Sequence, residues 1–201
     1  MDHDVMTPDA VDQQPVDALL LRSAATLRGF ADRIEGGALL RTLEWTIPMA
    51  DIGTDRMEAH CNAIAEAVGR RQHAIYVIGF DDEVPLERVY EVVDGHKAQN
   101  KLLPAQERRA FARVNKRKGC LGSRCLYVGV SEKVVTRLRQ HLIEAHPSTF
   151  AIHMKYWPSD IAGNLVVKLY RITNVPSVLV PFIEDQLARE MPPILGRRGS
   201  V

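Results

Sequence analysis

This 201-residue chain has little of several things that would define a protein class quickly. Aromatic residues make up only 6% of it, and there are three cysteines, Cys61, Cys120 and Cys125. Three is too few, and odd, for a disulfide framework, so a reducing compartment is expected. No apolar run approaches the roughly 18 residues that a membrane-spanning helix needs. The opening Met1-Asp2-His3-Asp4 is acidic where a secretory signal would be basic. These features together lead us to expect a cytoplasmic protein with no membrane partner. A hydrophobic fraction of 46% with 25% charged residues excludes a mostly disordered or fibrous chain.

The near-neutral net charge of +1 conceals an asymmetry. Residues 1–70 carry 12 acidic and 6 basic side chains, whereas residues 71–201 carry 13 acidic and 20 basic. A local positive excess suits a polyanionic partner, since association responds to the field near the site rather than to total charge.

Residues 1–15 are polar and read as a flexible tail. Residues 16–70 read as a small helical subdomain. A first helix over 17–30 carries Leu20, Ala24 and Leu27 at helical spacing, and a short second helix reaches about Trp45 after the Gly36-Gly37 break. A third is capped by Thr54, with Met57, Cys61, Ile64 and Val68 on one stripe and a stop at Gly69.

The pattern changes at Ala74. Ala74–Gly79 and Cys125–Gly129 read as β-rich runs, and residues 150–157 and 164–173 as two further strands. Residues 81–124 form an insertion with two expected helices, Pro85 to about Asp94 and Pro104 to Lys118, each opened by proline and closed by glycine. The second is rich in Arg108, Arg109, Arg113, Lys116, Arg117 and Lys118, a candidate phosphate-tracking surface. A helix capped by Ser131 carries Arg137 and His141 at i and i+4, hence on one face, and a last helix covers 176–191. The fold class expected for residues 71–201 is therefore α/β, a small mixed β-sheet flanked by helices.

Two strands with similar tyrosine cores, followed by Arg137, His141 and Glu184, could converge in one cleft. Ala74-Ile75-Tyr76, then Tyr127-Val128-Gly129, then Arg137 eight residues past Gly129, His141 four further on, and Glu184 in Phe-Ile-Glu-Asp-Gln-Leu stand in this order. Over about residues 72–200 this series resembles the GIY-YIG nuclease superfamily. Ala74 stands where the family usually has glycine, Val130 where many members have lysine, and Gly196 near the family's late asparagine.

The resemblance implies metal-dependent hydrolysis of phosphodiester bonds in DNA, with RNA also open as a substrate. Glu184 would hold Mg²⁺ (or Mn²⁺), Arg137 would clamp the phosphate, Tyr76 would activate or orient the water, Tyr127 would position water or phosphate, and His141 would relay a proton. These residue types suit the chemistry, because negative charge grows on phosphate oxygens during in-line attack. A tyrosine with an ordinary pKa of about 10 is a poor base at neutral pH, so Tyr76 needs a lowered pKa or else only orients the water. Lys133, Arg197 and Arg198 add expected backbone contacts. Two other readings remain: a non-catalytic DNA-binding module on the same fold, and a docking role in which residues 16–70 bind a protein partner. Cys120 and Cys125 lack a second Cys/His pair and are read as structural rather than as a zinc site. His60, His96 and His153 show no partner spacing.

Overall fold

The computed structural model describes residues 13–69, 74–144, 146–158 and 160–196. Residues 1–12, the boundary expected near residue 70, and Arg197 and Arg198 lie outside the described residues. The described elements are helix α1 (Gln13–Glu35), strand β1 (Ala38–Pro48), helix α2 (Arg56–Val68), strand β2 (Ala74–Phe80), helix α3 (Leu86–Leu102), strand β3 (Cys125–Ser131), helix α4 (Val134–Leu142), strand β4 (Asn164–Thr173) and helix α5 (Val180–Glu190).

The four strands form one sheet in the order β1-β4-β2-β3. The fold is α/β as expected, but the sheet is antiparallel at every pairing rather than mixed. The reason lies in the 81–124 connection. It leaves the sheet at Phe80 and returns beside it, where the Phe80 N–H donates to the Arg124 carbonyl at 2.9 Å. The strands it joins must then run in opposite directions. Arg124 closes this end by donating to the carbonyls of Asp81, Asp82 and Val84.

Strand β2 is central and apolar on both faces, as a doubly covered strand must be. Ala74, Tyr76, Ile78 and Phe80 join the main core, together with α2, α3 and α4, while Ile75 and Val77 join a smaller cluster under α5. Helices thus cover the sheet on both faces. In β3 the register steps from Ile78↔Tyr127 to Gly79↔Cys125, leaving Leu126 as an extra, bulged residue. The bulge turns Leu126 and Tyr127, neighbours in sequence, into the same core.

Three expected elements take a different form. The second N-terminal helix is instead β1, which pairs with β4 and so belongs to the sheet. Leu43, Trp45 and Ile47 alternate with Glu44 and Thr46, a period of two that favours a strand. Just before β1, Gly37 packs so closely on Val175 that an added Cβ would clash with it. Residues 13–15, expected in the tail, are the first turn of α1.

The basic helix over 104–118 is not formed. Residues 108–115 are extended, with Phe111 bridging Ala151 and Val114 bridging Leu195. Ala112 and Asn115 are buried there, and the Asn115 amide donates to the Pro193 carbonyl at 2.9 Å. These partners lie in distant chain segments, which a local propensity cannot report. The preceding helix, α3, instead runs through Gly95 to Leu102. Residues 150–157 form a single bridge at Ala151 and a 3-10 turn rather than a strand. The helix stripe Met57, Cys61, Ile64 and Val68 is buried as expected.

The bulged Leu126 is fully buried. Leu126→Ala should therefore destabilise the fold by about 2–5 kcal/mol, read as a lowered midpoint in urea unfolding. A change within about 0.5 kcal/mol, as for surface substitutions, would show that the bulge residue is not part of the core.

Candidate active site

Tyr76 from β2 and Tyr127 from β3 project onto the same face of the sheet, their rings stacked at 5.9 Å and 18°. His141, on the inward face of α4, lies over both, with ring centroids 5.7 Å from Tyr76 and 4.6 Å from Tyr127. All three are buried. The Tyr76 hydroxyl and His141 Nε2 are 2.9 Å apart.

The backbone fixes the direction of that bond. The N–H of Ile152 donates to His141 Nδ1 at 3.2 Å, so Nδ1 carries the lone pair and Nε2 the proton. His141 Nε2–H then donates to the Tyr76 oxygen, leaving the Tyr76 O–H to donate elsewhere. Burial, reinforced by Arg137 and His153, holds the His141 imidazolium far below its ordinary range, so the ring is neutral at pH 7.

Gly129 stands directly across from Tyr76. An added Cβ would lie 2.5 Å from the Tyr76 hydroxyl and 2.8 Å from the Tyr127 ring. The glycine of the second tyrosine motif is therefore the space in which the first tyrosine lies. Gly196, with φ +101°, approaches the flat of Tyr127, where a Cβ would come within 3.0 Å.

Arg137, half-buried one turn before His141, reaches the Tyr76 hydroxyl and shifts its acidity. Its guanidinium is held by Gln140, whose Oε1 accepts at 2.9 Å, and by the carbonyl of Phe150. Burial raises the Tyr76 phenol well above 10, with the neighbouring Tyr127 acting in the same direction; Arg137 opposes them and Glu184 adds to them. Glu184, half-buried on α5, is thus within electrostatic reach of that hydroxyl. Four of the five residues singled out in sequence, Tyr76, Tyr127, Arg137 and His141, meet on one face of the sheet; Glu184 is carried by α5, which packs on the other face, and acts on the Tyr76 hydroxyl electrostatically.

The basic set is divided. Arg108 donates to the carbonyls of Leu103 and Lys101 at the end of α3, a capping role. Arg109 lies on the Tyr156 ring, 3.7 Å from its centroid. Arg117 stacks over Tyr90 and pairs with Asp94 and Glu87. Arg113, Lys116, Lys118 and Lys133 are exposed, as are Arg108 and Arg117.

Sequence reasoning passed over several features. His60 accepts from the Trp45 indole N–H at Nδ1 and bonds Asp51 through Nε2 at 2.9 Å, tying β1 to α2. That bond is the largest of the effects holding the Asp51 carboxyl below its usual value. His96, Phe111 and His153 form a ring column, with successive centroids 6.4 and 6.1 Å apart and planes within 22°. It is flanked by Trp157 and Tyr156. His153 is buried in a left-handed conformation, φ +51°, and its ring nitrogens make no hydrogen bond among the described residues. Only Gly129, inside a motif, carried a usable sequence signal.

A cleft of about 740 Å³ lies on the other face of the sheet, lined by Val77, Gly79, Val166, Lys168 and the Lys118–Arg124 loop. Cavity size alone therefore does not point to the tyrosine cluster. Among the described residues no helix is long and apolar enough to cross a membrane, and no group of three or more His, Cys, Asp or Glu side chains is placed to hold a metal ion. Cys120 and Cys125 are buried free thiols, and burial pushes that of Cys125 up to about 12. No protein-family model, curated protein or solved structure matches the chain.

Two outcomes are expected. Gly129→Ala should cost about 1–3 kcal/mol by overpacking, seen in urea melts together with loss of the Tyr76–Tyr127 stack in near-ultraviolet circular dichroism; an unperturbed protein would refute the close approach. Stability should also fall as pH drops below about 6.5. Burial keeps His141 and His153 unprotonated in the fold, so the unfolded chain takes up protons that the native state does not. Each can contribute up to about 1.4 kcal/mol per pH unit until its own folded pKa is reached. Urea midpoints that do not move between pH 7.5 and 5.5 would contradict this.

Proposed function

We propose that the chain is a metal-dependent endonuclease of the GIY-YIG kind, hydrolysing phosphodiester bonds in DNA. The observation that supports it is the meeting of two stacked tyrosines, a tautomer-fixed histidine and a guanidinium at one sheet face, with a carboxylate in electrostatic reach. Packing accounts for the stacked rings, but Arg137, directed at the Tyr76 hydroxyl from the same helix as His141, adds a charged donor that ring packing does not require.

In this reading Arg137 binds a phosphate oxygen through guanidinium hydrogens not directed at Gln140 and Phe150; those two acceptors hold its plane. Tyr76 is neutral at pH 7, so its O–H orients the attacking water rather than removing a proton from it. His141 Nε2–H holds the Tyr76 oxygen in place and stabilises any negative charge that develops there. Tyr127 supplies the flat wall against which Tyr76 and His141 are set. Glu184 would hold Mg²⁺ or Mn²⁺; a single carboxylate suits a hard cation that keeps most of its water. When bound, the ion supplies neutralisation of charge on the phosphate oxygens. Arg113, Lys116, Lys118 and Lys133 would contact the backbone without reading sequence.

The burial of Tyr76 and His141 favours one alternative, a DNA-binding module on this fold that does no chemistry. Helix α1 would serve as the protein-docking element, since its Leu19, Leu21 and Leu27 are exposed.

Cleavage of supercoiled plasmid and branched oligonucleotides in Mg²⁺ or Mn²⁺ tests the assignment. Arg137→Ala and Glu184→Gln should each lower the rate by at least about 100-fold, the size seen when one charge-stabilising donor is removed, with the fold intact by circular dichroism. Equal cutting by wild type and both variants would sink the site. Salt-sensitive DNA binding without cutting under either metal would establish the non-catalytic module instead.

A further inference from the structure

Beside Arg137 the surface carries aromatic groups that the hydrolytic site does not use. Phe150 and Tyr156 are both exposed, at 46% and 36%, although apolar rings of this size are usually covered. They lie on the segment that supplies the Ile152 N–H to His141 and the Phe150 carbonyl to Arg137.

Tyr156 is already half of a stack. The Arg109 guanidinium lies 3.7 Å from its ring centroid. That arginine is anchored at its backbone, because the Asn100 side chain accepts from the Arg109 N–H at 2.8 Å and donates to the Arg109 carbonyl at 2.9 Å. From beneath, Tyr156 leans on His153, whose ring packs in turn on Phe111. His153 lies within electrostatic reach of both Arg109 and Arg137. The strained backbone of His153, φ +51°, is held where it supports the pair.

A plane made of a guanidinium pinned at its backbone on a partly exposed tyrosine, carried by the segment whose Phe150 carbonyl holds Arg137, matches one ligand chemistry. Bases out of a duplex stack on aromatic rings and on guanidinium planes, whereas paired bases present their faces only to each other. We propose that Arg109, Tyr156 and Phe150 form a stacking subsite for an unpaired nucleobase next to the phosphate held by Arg137. Resting on the nuclease reading above, this makes the preferred substrate a nucleic acid with unpaired nucleotides at the cut, such as a fork, flap or bulge, rather than continuous duplex.

The test reads binding in EDTA, so it does not depend on cleavage. A fluorescein-labelled forked duplex and a blunt duplex of matched sequence are titrated with the full chain, at one salt concentration, by anisotropy. Wild type should bind the fork about tenfold more tightly, the scale of one stacked base. Tyr156→Ala should abolish that preference while leaving duplex affinity unchanged, and Tyr156→Trp should retain it. Arg109→Lys keeps the charge but removes the plane, and should also lose the preference; with Phe150→Ala it carries the test if Tyr156→Ala does not fold. Arg137→Ala should abolish cleavage yet still prefer the fork. The subsite is overturned if wild type binds fork and duplex alike, or if the variants weaken both equally. Fork preference without cleavage by wild type would overturn the nuclease reading alone.

Discussion

The hydrogen-bond line from the Ile152 N–H through His141 to the Tyr76 hydroxyl is the constraint on which the rest of the arrangement depends. It joins three parts of the chain: the sheet through β2, the inward face of α4, and the loop before β4. Each is fixed by something else. Tyr76 is held in the central strand, His141 by the buried Leu138 and Leu142 beside it on α4, and Ile152 by Ala151, which is laced to residues 110 and 112. A buried polar chain of this kind is costly if any link is missing, because a desolvated ring nitrogen or hydroxyl then goes unsatisfied. The line therefore fixes both a geometry and a protonation state.

That protonation state limits the chemistry. A buried tyrosine that receives a hydrogen bond from a neutral histidine is a donor, and its pKa moves the wrong way for a general base. Arg137 pulls in the opposite direction from 61 residues along the chain, so acidity at Tyr76 is a contest between burial and one guanidinium. The same guanidinium would bind a phosphate, which offsets its charge and weakens its pull on Tyr76. Under the proposed function, a bound phosphate would therefore keep Tyr76 a neutral donor.

Much of the candidate site was legible in sequence because strand alternation and helical spacing set which side chains share a face. Tyr76, Tyr127, Arg137 and His141 could be named from strand patterns and from an i, i+4 pair on one helix face, and Glu184 from the resemblance. The parts that were not legible depend on partners distant in sequence. The residues that orient Arg137 and His141 do so through the carbonyl of Phe150 and the N–H of Ile152, groups that every residue possesses. Residues 104–118 read as a helix by composition, yet their backbone partners are Pro147, Ala151 and Ile194. The alternation of Leu43, Trp45 and Ile47 is short, and the strand it forms depends on pairing with β4 more than 100 residues away. His153, without any spacing signal, became visible only as a buried ring between two arginines.

The extended form of the basic segment changes what it can do. A solvated helix would have presented Arg108, Arg109, Arg113 and Arg117 as a continuous stripe of charge. Instead, Arg108 caps α3, Arg117 is paired with acids beside Tyr90, and Arg109 is laid on Tyr156. Positive charge is thereby converted into planar surface at one place and left as lysine-rich field elsewhere. Guanidinium planes suit stacking and bidentate contacts, whereas exposed ammonium groups act as hydrated point charges. Under the proposed function a nucleic acid would be attracted by exposed lysines such as Lys116 and Lys133 but positioned by Arg109 and Arg137. Affinity and placement would then reside in different residues, so salt would weaken the first more than the second.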